Sequence, residues 1–457
     1  MDIVRGHWVG HRTVFYHELT GACGTNINDV IDYGNLELDS LGLAAYLDYG
    51  YCVFAHTPVK HVKFLLPHQS LIVLDGKVRV EDQPDSTLAL LNQSAHEDDV
   101  LSMIEQHVND WASSFDDDIL IPTSGGFDSR LLNVVLKDKE RIRAYTYGTS
   151  NDQNSSREVV YAQQLSRRLG TVWKRIDLGR FNSYQDDWFA LFGCSVGAVG
   201  TYHLEFFDKI HKLEGQREMH MLSGIIGDAW AGAVYVKPVN DVKEYKILGH
   251  THQMTANSQQ ATGVDYRGLV EQVFDKQKDL LQDPKYRILT AMRTKMMLLQ
   301  SLISVPEYYR YTGYSPFLGE NIAMSMLNIP DERRANRVWQ RDYFRRHNVL
   351  FEEEKHSFTY QNSLNYYALI NHEIEPLDVR VLREAIHVEY INWINDQLQH
   401  IGRTQRIFQN LMHTPKVKGA LKSLGFKNKL MEAYFAYTTL KPIEKLLKKR
   451  NDCISNP

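Results

Sequence analysis

The chain has 457 residues, of which 43% are hydrophobic and 24% charged, and its formal net charge is −4. This length predicts two or three domains of ordinary globular composition, and the small negative charge gives no reason to expect a nucleic-acid partner. No apolar run approaches the roughly 18 residues of a membrane span, and the N-terminus lacks the basic and apolar regions of a signal peptide. The four cysteines are scattered without a C-x-x-C pair, which favours a cytoplasmic protein over a disulfide framework or a zinc site.

Residues 1 to about 90 form the first expected domain. Leu41 to Tyr51 is predicted as a helix, and residues 71–80 as a β-hairpin with Asp75-Gly76 at its turn. A second domain is expected over residues 91–355, and a helical third part with a basic tail over 356–457.

The most informative stretch follows a predicted helix at residues 97–115. An apolar run ending at Pro122 leads into Thr-Ser-Gly-Gly-Phe-Asp-Ser and then into an apolar helical pattern, which predicts a buried strand, a tight turn and a helix. Gly125 and Gly126 let backbone N–H groups approach a ligand closely. Together with the hydroxyls of Ser124 and Ser129 and the helix N-terminus, they predict an anion site.

Asp128, in the same turn, would repel a phosphate that it met directly. It is explained if Mg²⁺ lies between them, because this cation takes carboxylate and phosphate oxygens together. The stretch therefore predicts a pyrophosphate-binding loop. An ordinary glycine turn with capping residues is the alternative interpretation.

Strands and helices alternate after the loop. Strands are predicted at residues 142–148, 171–176 and 219–222, and helices at 155–169 and 206–213. This alternation predicts a parallel α/β sheet whose ligands bind at the carboxyl ends of the strands. Gly227-Asp228 follows the last of these strands and is expected at the same edge as the loop. Ser155 and Glu158 have the spacing of a capping box, which explains Glu158 without a role in the site.

Residues beyond about 285 are predicted to be helical, at 288–303, 320–327 and 336–344. The tail from Pro415 to Arg450 has ten Lys and Arg residues interleaved with apolar ones. It is interpreted as a solvated helical face packed on the main body, or as a segment that touches an anionic surface or partner.

The loop at 124–129 resembles that of the N-type ATP pyrophosphatases, and residues from about 40 to 355 resemble the asparagine synthetase family. Three further segments carry the resemblance: Glu158 to Ala162 with Leu169-Gly170-Thr171, Leu222 to Asp228 followed by Gly232, and Ser315-Pro316-Phe317-Leu318 with Ile329-Pro330. The resemblance implies a PP-loop ATPase fold, α/β with a parallel sheet, beside a small α+β N-terminal remnant.

It also implies an adenylate-forming amide ligase. A substrate carboxylate would attack the α-phosphorus of ATP, Mg-pyrophosphate would leave, and an amine would displace AMP. Asp128 and Asp228 would hold Mg²⁺, and Gly148 would border the adenine. The remaining residues implied in nucleotide binding are Ser124, Gly125, Gly126, Ser129, Gly224 and Gly227.

The chain departs from the family pattern at a catalytic lysine. By alignment this lysine falls on Arg337, which keeps the charge but not the compact ammonium. Arg341 is a second candidate for the same role, and Arg334 and Lys355 are rivals. Gly319 stands where the family's Pro-Phe-Leu-Asp run has its aspartate, so the substrate contact there is open.

The N-terminus departs as well. Family members that use glutamine begin with a cysteine whose own amino group acts as base, whereas here Asp2 follows Met1, and the nitrogen of Cys23 lies within the chain. Residues 1–90 are therefore predicted to be a degenerate glutaminase remnant. The amine would be free ammonia, the product of a separate glutaminase, or the amino group of a second substrate.

The carboxylate is left open between aspartate, a sugar uronic acid and a peptide carboxyl, and a homodimer is one expected assembly. Two alternatives remain. One is another PP-loop adenylating enzyme, either ring-forming or tRNA-modifying, and the other is an inactive nucleotide-binding homologue.

Overall fold

The computed structural model describes residues 2–455 apart from 75, 216, 253, 360, 400, 415, 416, 418, 420, 422 and 424. Its strands are β1 Asp2–Arg5, β2 Phe15–His17, β3 Cys23–Gly24, β4 Val62–Phe64, β5 Gln69–Leu74, β6 Lys77–Asp82, β7 Asp118–Pro122, β8 Ile142–Thr146, β9 Val172–Arg175, β10 Met219–Leu222 and β11 Thr312–Tyr314.

Its helices in the first two thirds of the chain are α1 Ser40–Tyr49, α2 Ser86–Leu90, α3 Glu97–Ala112, α4 Phe127–Val135, α5 Arg157–Leu169, α6 Gln185–Phe192, α7 Thr201–Glu214, α8 Gly227–Ala231, α9 Ser258–Ala261, α10 Arg267–Gln277, α11 Pro284–Thr294 and α12 Met296–Tyr308. Those that follow are α13 Glu320–Leu327, α14 Asp331–Arg334, α15 Val338–Arg346, α16 Leu364–Asn371, α17 Val379–Leu382, α18 Val388–Gln399, α19 Arg403–His413 and α20 Lys429–Ser455.

A five-stranded parallel sheet forms the centre of the chain, in the order β11-β10-β7-β8-β9. The strand order reverses between β7 and β10, because the chain first builds outward through β8 and β9 and then returns to the other side of β7. Ligands of doubly wound sheets bind at such a reversal, beyond the carboxyl ends of the strands. The predicted parallel α/β fold is confirmed, with β11 as a strand that the sequence did not predict.

The middle strand β7 is buried on both faces. Ile119 and Ile121 pack with α3 and α4, whereas Leu120 packs on the opposite face with Tyr145 and Met221. Parallel sheets covered on both sides require such continuous apolar strands. Each of these side chains contributes on the order of 1.5–3 kcal/mol through its burial, so the loop that follows β7 begins from a rigid support.

The N-terminal part contains two three-stranded antiparallel sheets, β1-β5-β6 and β3-β2-β4, together with α1. The β5–β6 hairpin has the predicted strands, with Leu74 paired to Lys77. Asp75, the first residue of its predicted turn, lies outside the described residues.

The C-terminal helix α20 packs into the main body, as one of the two interpretations of the tail predicted. Its polar residues Lys441 and Glu444 are only 4% and 1% exposed, and they pair at 3.1 Å. The Thr439 carbonyl accepts a hydrogen bond of 2.9 Å from the Tyr46 hydroxyl of α1. The tail residues Pro415, Lys416, Lys418, Lys422 and Leu424 lie outside the described residues. No helix in the described part of the chain is long and apolar enough to cross a membrane.

Candidate active site

The loop after β7 and the Gly-Asp turn after β10 meet at the carboxyl edge of the sheet. A Cβ atom on Gly224 would lie 3.0 Å from the Asp128 Cβ, and one on Gly227 would lie 3.0 Å from the Asp128 Cγ. Any side chain at either position would therefore displace this aspartate. The structure thus brings the two turns into direct contact and gives a steric reason for both glycines.

Asp128 is held in an environment that disfavours its charged form. Removal from water and repulsion by the Asp228 carboxylate raise the pKa of Asp128 to about 8, although the Arg337 guanidinium and a backbone hydrogen bond from Asp228 oppose this rise. Its Oδ1 atom is buried and has no hydrogen-bond partner among the described residues. Asp228, in contrast, is exposed to solvent. A buried carboxylate oxygen without a partner, facing a second carboxylate, is suited to a cation that approaches from the open side.

This donor set fits Mg²⁺. In proteins Mg²⁺ is commonly bound by one or two carboxylates, with phosphate oxygens and water completing its six ligands. Within the described part of the chain, no three His, Cys, Asp or Glu side chains converge on one point. Asp128 and Asp228 would therefore hold a metal whose other ligands come from a nucleotide and from water.

The loop at residues 124–129, the predicted pyrophosphate loop, is closed by its own hydrogen bonds. The Gly126 N–H donates to the Ser124 hydroxyl at 3.2 Å, and the Ser124 N–H donates to the Ser129 hydroxyl at 3.3 Å. Gly125 has a φ of +65°, and a Cβ there would lie 2.4 Å from the Tyr161 Cβ. Only glycine satisfies both the backbone conformation and the contact.

Arg130 fixes this loop to the body of the protein, which the sequence did not reveal. Its side chain is fully buried and pairs with Glu352 through two hydrogen bonds of 2.9 Å. It also donates to the Gly125 carbonyl at 2.6 Å and to the Val349 carbonyl at 2.9 Å. The rings of four aromatic residues surround the guanidinium, namely Phe127, Tyr161, Phe344 and Phe351.

Arg337 lies above the loop at the start of α15. Its guanidinium carbon is 4.1 Å from the centre of the Phe127 ring. Asn336 and Arg337 both have left-handed backbones, with φ of 53° and 56°. Such conformations are unfavourable for residues other than glycine and cluster at functional sites. They turn the chain so that the Arg337 charge acts on Asp128, and they explain why the helix predicted from residue 336 begins at Val338.

The other predicted cations are placed differently. Arg341 lies 4.0 Å from Glu353, and Arg334 lies 2.9 Å from Asp331. Lys355 is exposed. Among these candidates, Arg337 is the cation whose charge acts on Asp128.

Lys295 is a further cation at the site, and the sequence did not predict it. The predicted helix over 288–303 is interrupted, because α11 ends at Thr294 and α12 begins at Met296. Burial lowers the pKa of the Lys295 ammonium, while attraction to the Asp228 carboxylate opposes that change. A lysine within an apolar helical pattern was the available signal. The influence of Asp228 was not visible because the two residues are far apart in the sequence.

A cavity of about 370 Å³ opens beside the loop, and it is called here the nucleotide cavity after the ligand that the sequence predicts for this edge of the sheet. Its wall comes from the ends of β7, β8 and β10 and includes Ser124, Tyr147, Thr149 and Ser223. Its size is within the range of small-molecule sites. Gly148 lies between two of these wall residues, and a Cβ on it would lie 2.4 Å from the Gln153 carbonyl oxygen.

Glu158 lines the same cavity and accepts a hydrogen bond of 3.1 Å from the Thr149 hydroxyl. The predicted capping box is wrong, because Ser156 and not Ser155 is the N-cap of α5 and it makes no side-chain cap bond. The Ser155 hydroxyl instead contacts that of Thr359 at 2.9 Å. The sequence-based reason for leaving Glu158 outside the site therefore does not hold.

The sequence matches no protein-family model and no curated protein sequence. Among solved structures, the chain is similar to the NH3-dependent NAD synthetase from Campylobacter jejuni in complex with nitrate. The two are 13% identical, and the match covers 46% of this chain and 96% of that chain with a TM-score of 0.25. At this level the similarity carries no functional conclusion, and the function of the chain has to be inferred from its own residues.

Proposed function

We propose that the chain is an ATP-dependent amide ligase that activates a carboxylate as an acyl-adenylate and releases pyrophosphate. This is the activity implied by its resemblance to the asparagine synthetase family. The observation that carries the proposal is the contact between the pyrophosphate loop and the Gly-Asp turn, which faces Asp128 toward Asp228 at the strand reversal of a doubly wound sheet.

The polar groups of the loop are suited to the β- and γ-phosphates. The hydroxyls of Ser124 and Ser129 and the N-terminus of α4 provide donors and a positive dipole for them. Mg²⁺, held by Asp128 and Asp228, would neutralise the charge that develops on the departing pyrophosphate. The adenosine part would occupy the nucleotide cavity, next to Gly148.

Arg337 and Lys295 add positive charge near the two aspartates. The Arg337 charge acts on Asp128, and the Lys295 charge acts on Asp228. Positively charged groups fixed around a transferring phosphoryl group are a common source of catalysis because they stabilise its developing charge. Arg337 would thus take the role of the family lysine, with Lys295 as a second contributor.

The reaction would have two steps. A carboxylate oxygen attacks the α-phosphorus, and the bond from that phosphorus to the bridging oxygen of the β-phosphate breaks. An amine nitrogen then attacks the acyl carbon, AMP leaves with the former carboxylate oxygen, and the nitrogen loses a proton. The amine would be ammonia, the product of a separate glutaminase or a second substrate, since residues 1–90 are proposed as an inactive remnant. The predicted domain boundaries, the cytoplasmic location and a homodimer remain expectations.

Pyrophosphate exchange tests the proposal. The purified chain with MgATP and labelled pyrophosphate should form labelled ATP when the right acid is present, and its complete reaction should yield AMP. Asp128→Asn should abolish exchange. Asp116→Asn is a matched control, because Asp116 is an exposed aspartate just before β7, at the opposite edge of the sheet.

Formation of ADP and phosphate, or full exchange by Asp128→Asn, would refute this assignment. Absence of both exchange and ATP binding would favour the inactive homologue. Exchange that requires tRNA or a single substrate carrying both groups would favour the other PP-loop branches.

A further inference from the structure

A second cavity of about 330 Å³ adjoins the nucleotide cavity. The two share four wall residues, namely Tyr147, Thr149, His203 and Leu302. The shared wall consists of the residues that follow β8, the first turn of α7 and one residue of α12. A ligand can therefore have its reacting group at this boundary and its body in the second cavity. We call the second cavity the aromatic chamber.

The chamber is rich in aromatic rings. Tyr49 and Tyr51 come from the N-terminal part, Tyr147 follows β8, and Trp188 and Tyr202 come from α6 and α7. Flat ring faces bind apolar or weakly polar ring surfaces well.

No Asp, Glu, Lys or Arg is among the described residues that line the chamber. Burial lowers the pKa of the His203 imidazole to about 4, so this histidine adds no charge at neutral pH. A free amino acid such as aspartate carries an ammonium and two carboxylates. Because a buried charge without a partner is strongly unfavourable, the chamber disfavours such a body.

The chamber nevertheless has hydrogen-bonding groups without protein partners. Tyr49 is 2% exposed, and its buried hydroxyl has no hydrogen bond within the described part of the chain. The side-chain amides of Asn362, which is exposed, and Asn365, which is half-buried, also have no hydrogen bond to a described residue. Buried polar groups in native proteins are nearly always paired, so the unpaired Tyr49 hydroxyl points to a ligand, and the two amides add neutral donors and acceptors for it. A purely apolar body would leave the Tyr49 hydroxyl unpaired.

We propose that the aromatic chamber holds the body of the carboxylate substrate and that this body is an uncharged, hydroxylated ring, as in a sugar acid. This inference rests on the proposed function and specifies its substrate class. The ring faces of the substrate would pack against the aromatic residues. The hydroxyls of the substrate would form hydrogen bonds with the Tyr49 hydroxyl and with the side-chain amides of Asn362 and Asn365. The carboxylate would lie at the boundary with the nucleotide cavity, near His203.

The test compares three kinds of acid in the pyrophosphate exchange assay with the full chain. D-glucuronate and D-galacturonate represent the hydroxylated ring, L-aspartate the charged body, and cyclohexanecarboxylate the apolar ring. We expect kcat/KM for at least one hexuronate to exceed that for the other two by at least about a hundredfold, because sites built to pair hydroxyls reject analogues that lack them.

Asn365→Leu should raise KM for the hexuronate by roughly tenfold, which corresponds to the loss of about one hydrogen bond. Asn371→Leu is the matched control on the same helix, because its amide bonds to the Tyr367 carbonyl at 2.8 Å and does not line the chamber. MgATP binding should be unchanged in both variants.

A preference for aspartate or cyclohexanecarboxylate would overturn the inference and leave the proposed function standing. Equal effects of the two asparagine variants would also overturn it. If no acid supports exchange although MgATP binds, the proposed function fails. Saturation-transfer NMR with the hexuronates then tests separately whether the chamber binds them. Binding weakened by Asn365→Leu alone supports it, and no binding overturns it.

Discussion

Replacing Glu352 with alanine tests whether a buried ion pair holds the pyrophosphate loop. The change leaves the Arg130 guanidinium, which is fully buried, without the carboxylate that accepts two of its hydrogen bonds. The guanidinium cannot lose its proton at any ordinary pH, so an uncompensated charge remains in the interior. Its remaining bonds to the Gly125 and Val349 carbonyls do not neutralise that charge.

The expected loss of stability is about 3–5 kcal/mol, the usual effect of removing one partner from a buried pair. Glu352 is only 16% exposed at its side chain, so little of this loss is relieved by water. The α4 amides next to the loop should then exchange with solvent roughly 100- to 4,000-fold faster, because each 1.4 kcal/mol is a factor of ten.

Hydrogen–deuterium exchange of peptides covering residues 124–135 measures this change, and urea unfolding gives the global effect. Glu353→Ala is the matched control, since the neighbouring Glu353 pairs with Arg345 at the exposed surface and should be nearly silent. The double variant Arg130→Met/Glu352→Leu should be more stable than Glu352→Ala, because it removes the buried charge itself.

The pair also predicts a dependence on pH. Burial would raise the pKa of Glu352, but the hydrogen bonds and charge of Arg130 outweigh it and the net shift is downward. The carboxylate therefore stabilises the fold above its unfolded pKa of about 4.3, and this stabilisation is lost as the pH falls through its lower folded value. Equal exchange rates in Glu352→Ala and Glu353→Ala would refute the idea that this pair anchors the loop.

Three further predictions concern the site. The pKa of Asp128 is raised to about 8, so the folded state holds a proton that the unfolded state loses above about pH 4. Without Mg²⁺ the protein should therefore lose stability between about pH 4 and 8 relative to Asp128→Asn. A difference in melting temperature between the two proteins that does not change with pH would contradict this. Gly125→Ala should destabilise the protein by more than Gly170→Ala, for which about 1–2 kcal/mol of left-handed strain is expected. Both glycines have positive φ, but a Cβ on Gly170 meets no atom within 4 Å. Equal urea midpoints for the two variants would therefore show that the contact with Tyr161 does not matter. Lys295→Met should weaken MgATP or pyrophosphate binding by roughly ten- to a hundredfold, as expected for a lost charge-assisted contact. Arg341→Met should bind both normally. If calorimetry gave the same loss of affinity for both variants, the effect would be one of general charge.

The parts of the fold that depend on neighbouring residues could be predicted from the sequence. β7 and the loop after it follow from an apolar run and a pair of glycines, and β10 was predicted with its observed limits. The three-residue strand β11 was not, because Thr312-Gly313-Tyr314 has no apolar pattern and forms a strand only by pairing with β10. Periodicity reports which face of an element is apolar, not which distant segment will pair with it.

The site shows the same division. The loop residues are adjacent in the sequence and form a recognisable motif, so they could be identified directly. Arg130 could not be assigned, because its partner Glu352 is 222 residues away. The break at Lys295 was missed for a related reason, since the flanking residues keep a helical pattern on both sides of it. The predicted capping box was wrong because α5 begins one residue later than expected, with Ser156 rather than Ser155 as its N-cap. Only the path of the chain reveals this difference.

The hydrogen bond between Tyr46 and Thr439 spans 393 residues of the chain. At a synthesis rate of about 5–20 residues per second, Thr439 is translated roughly 20–80 s after Tyr46. During that interval the apolar surface of α1 that α20 later covers stays open on the nascent chain. The packing of α1 is thus completed only when α20 has been made, and chaperones that bind exposed apolar segments can act during that interval.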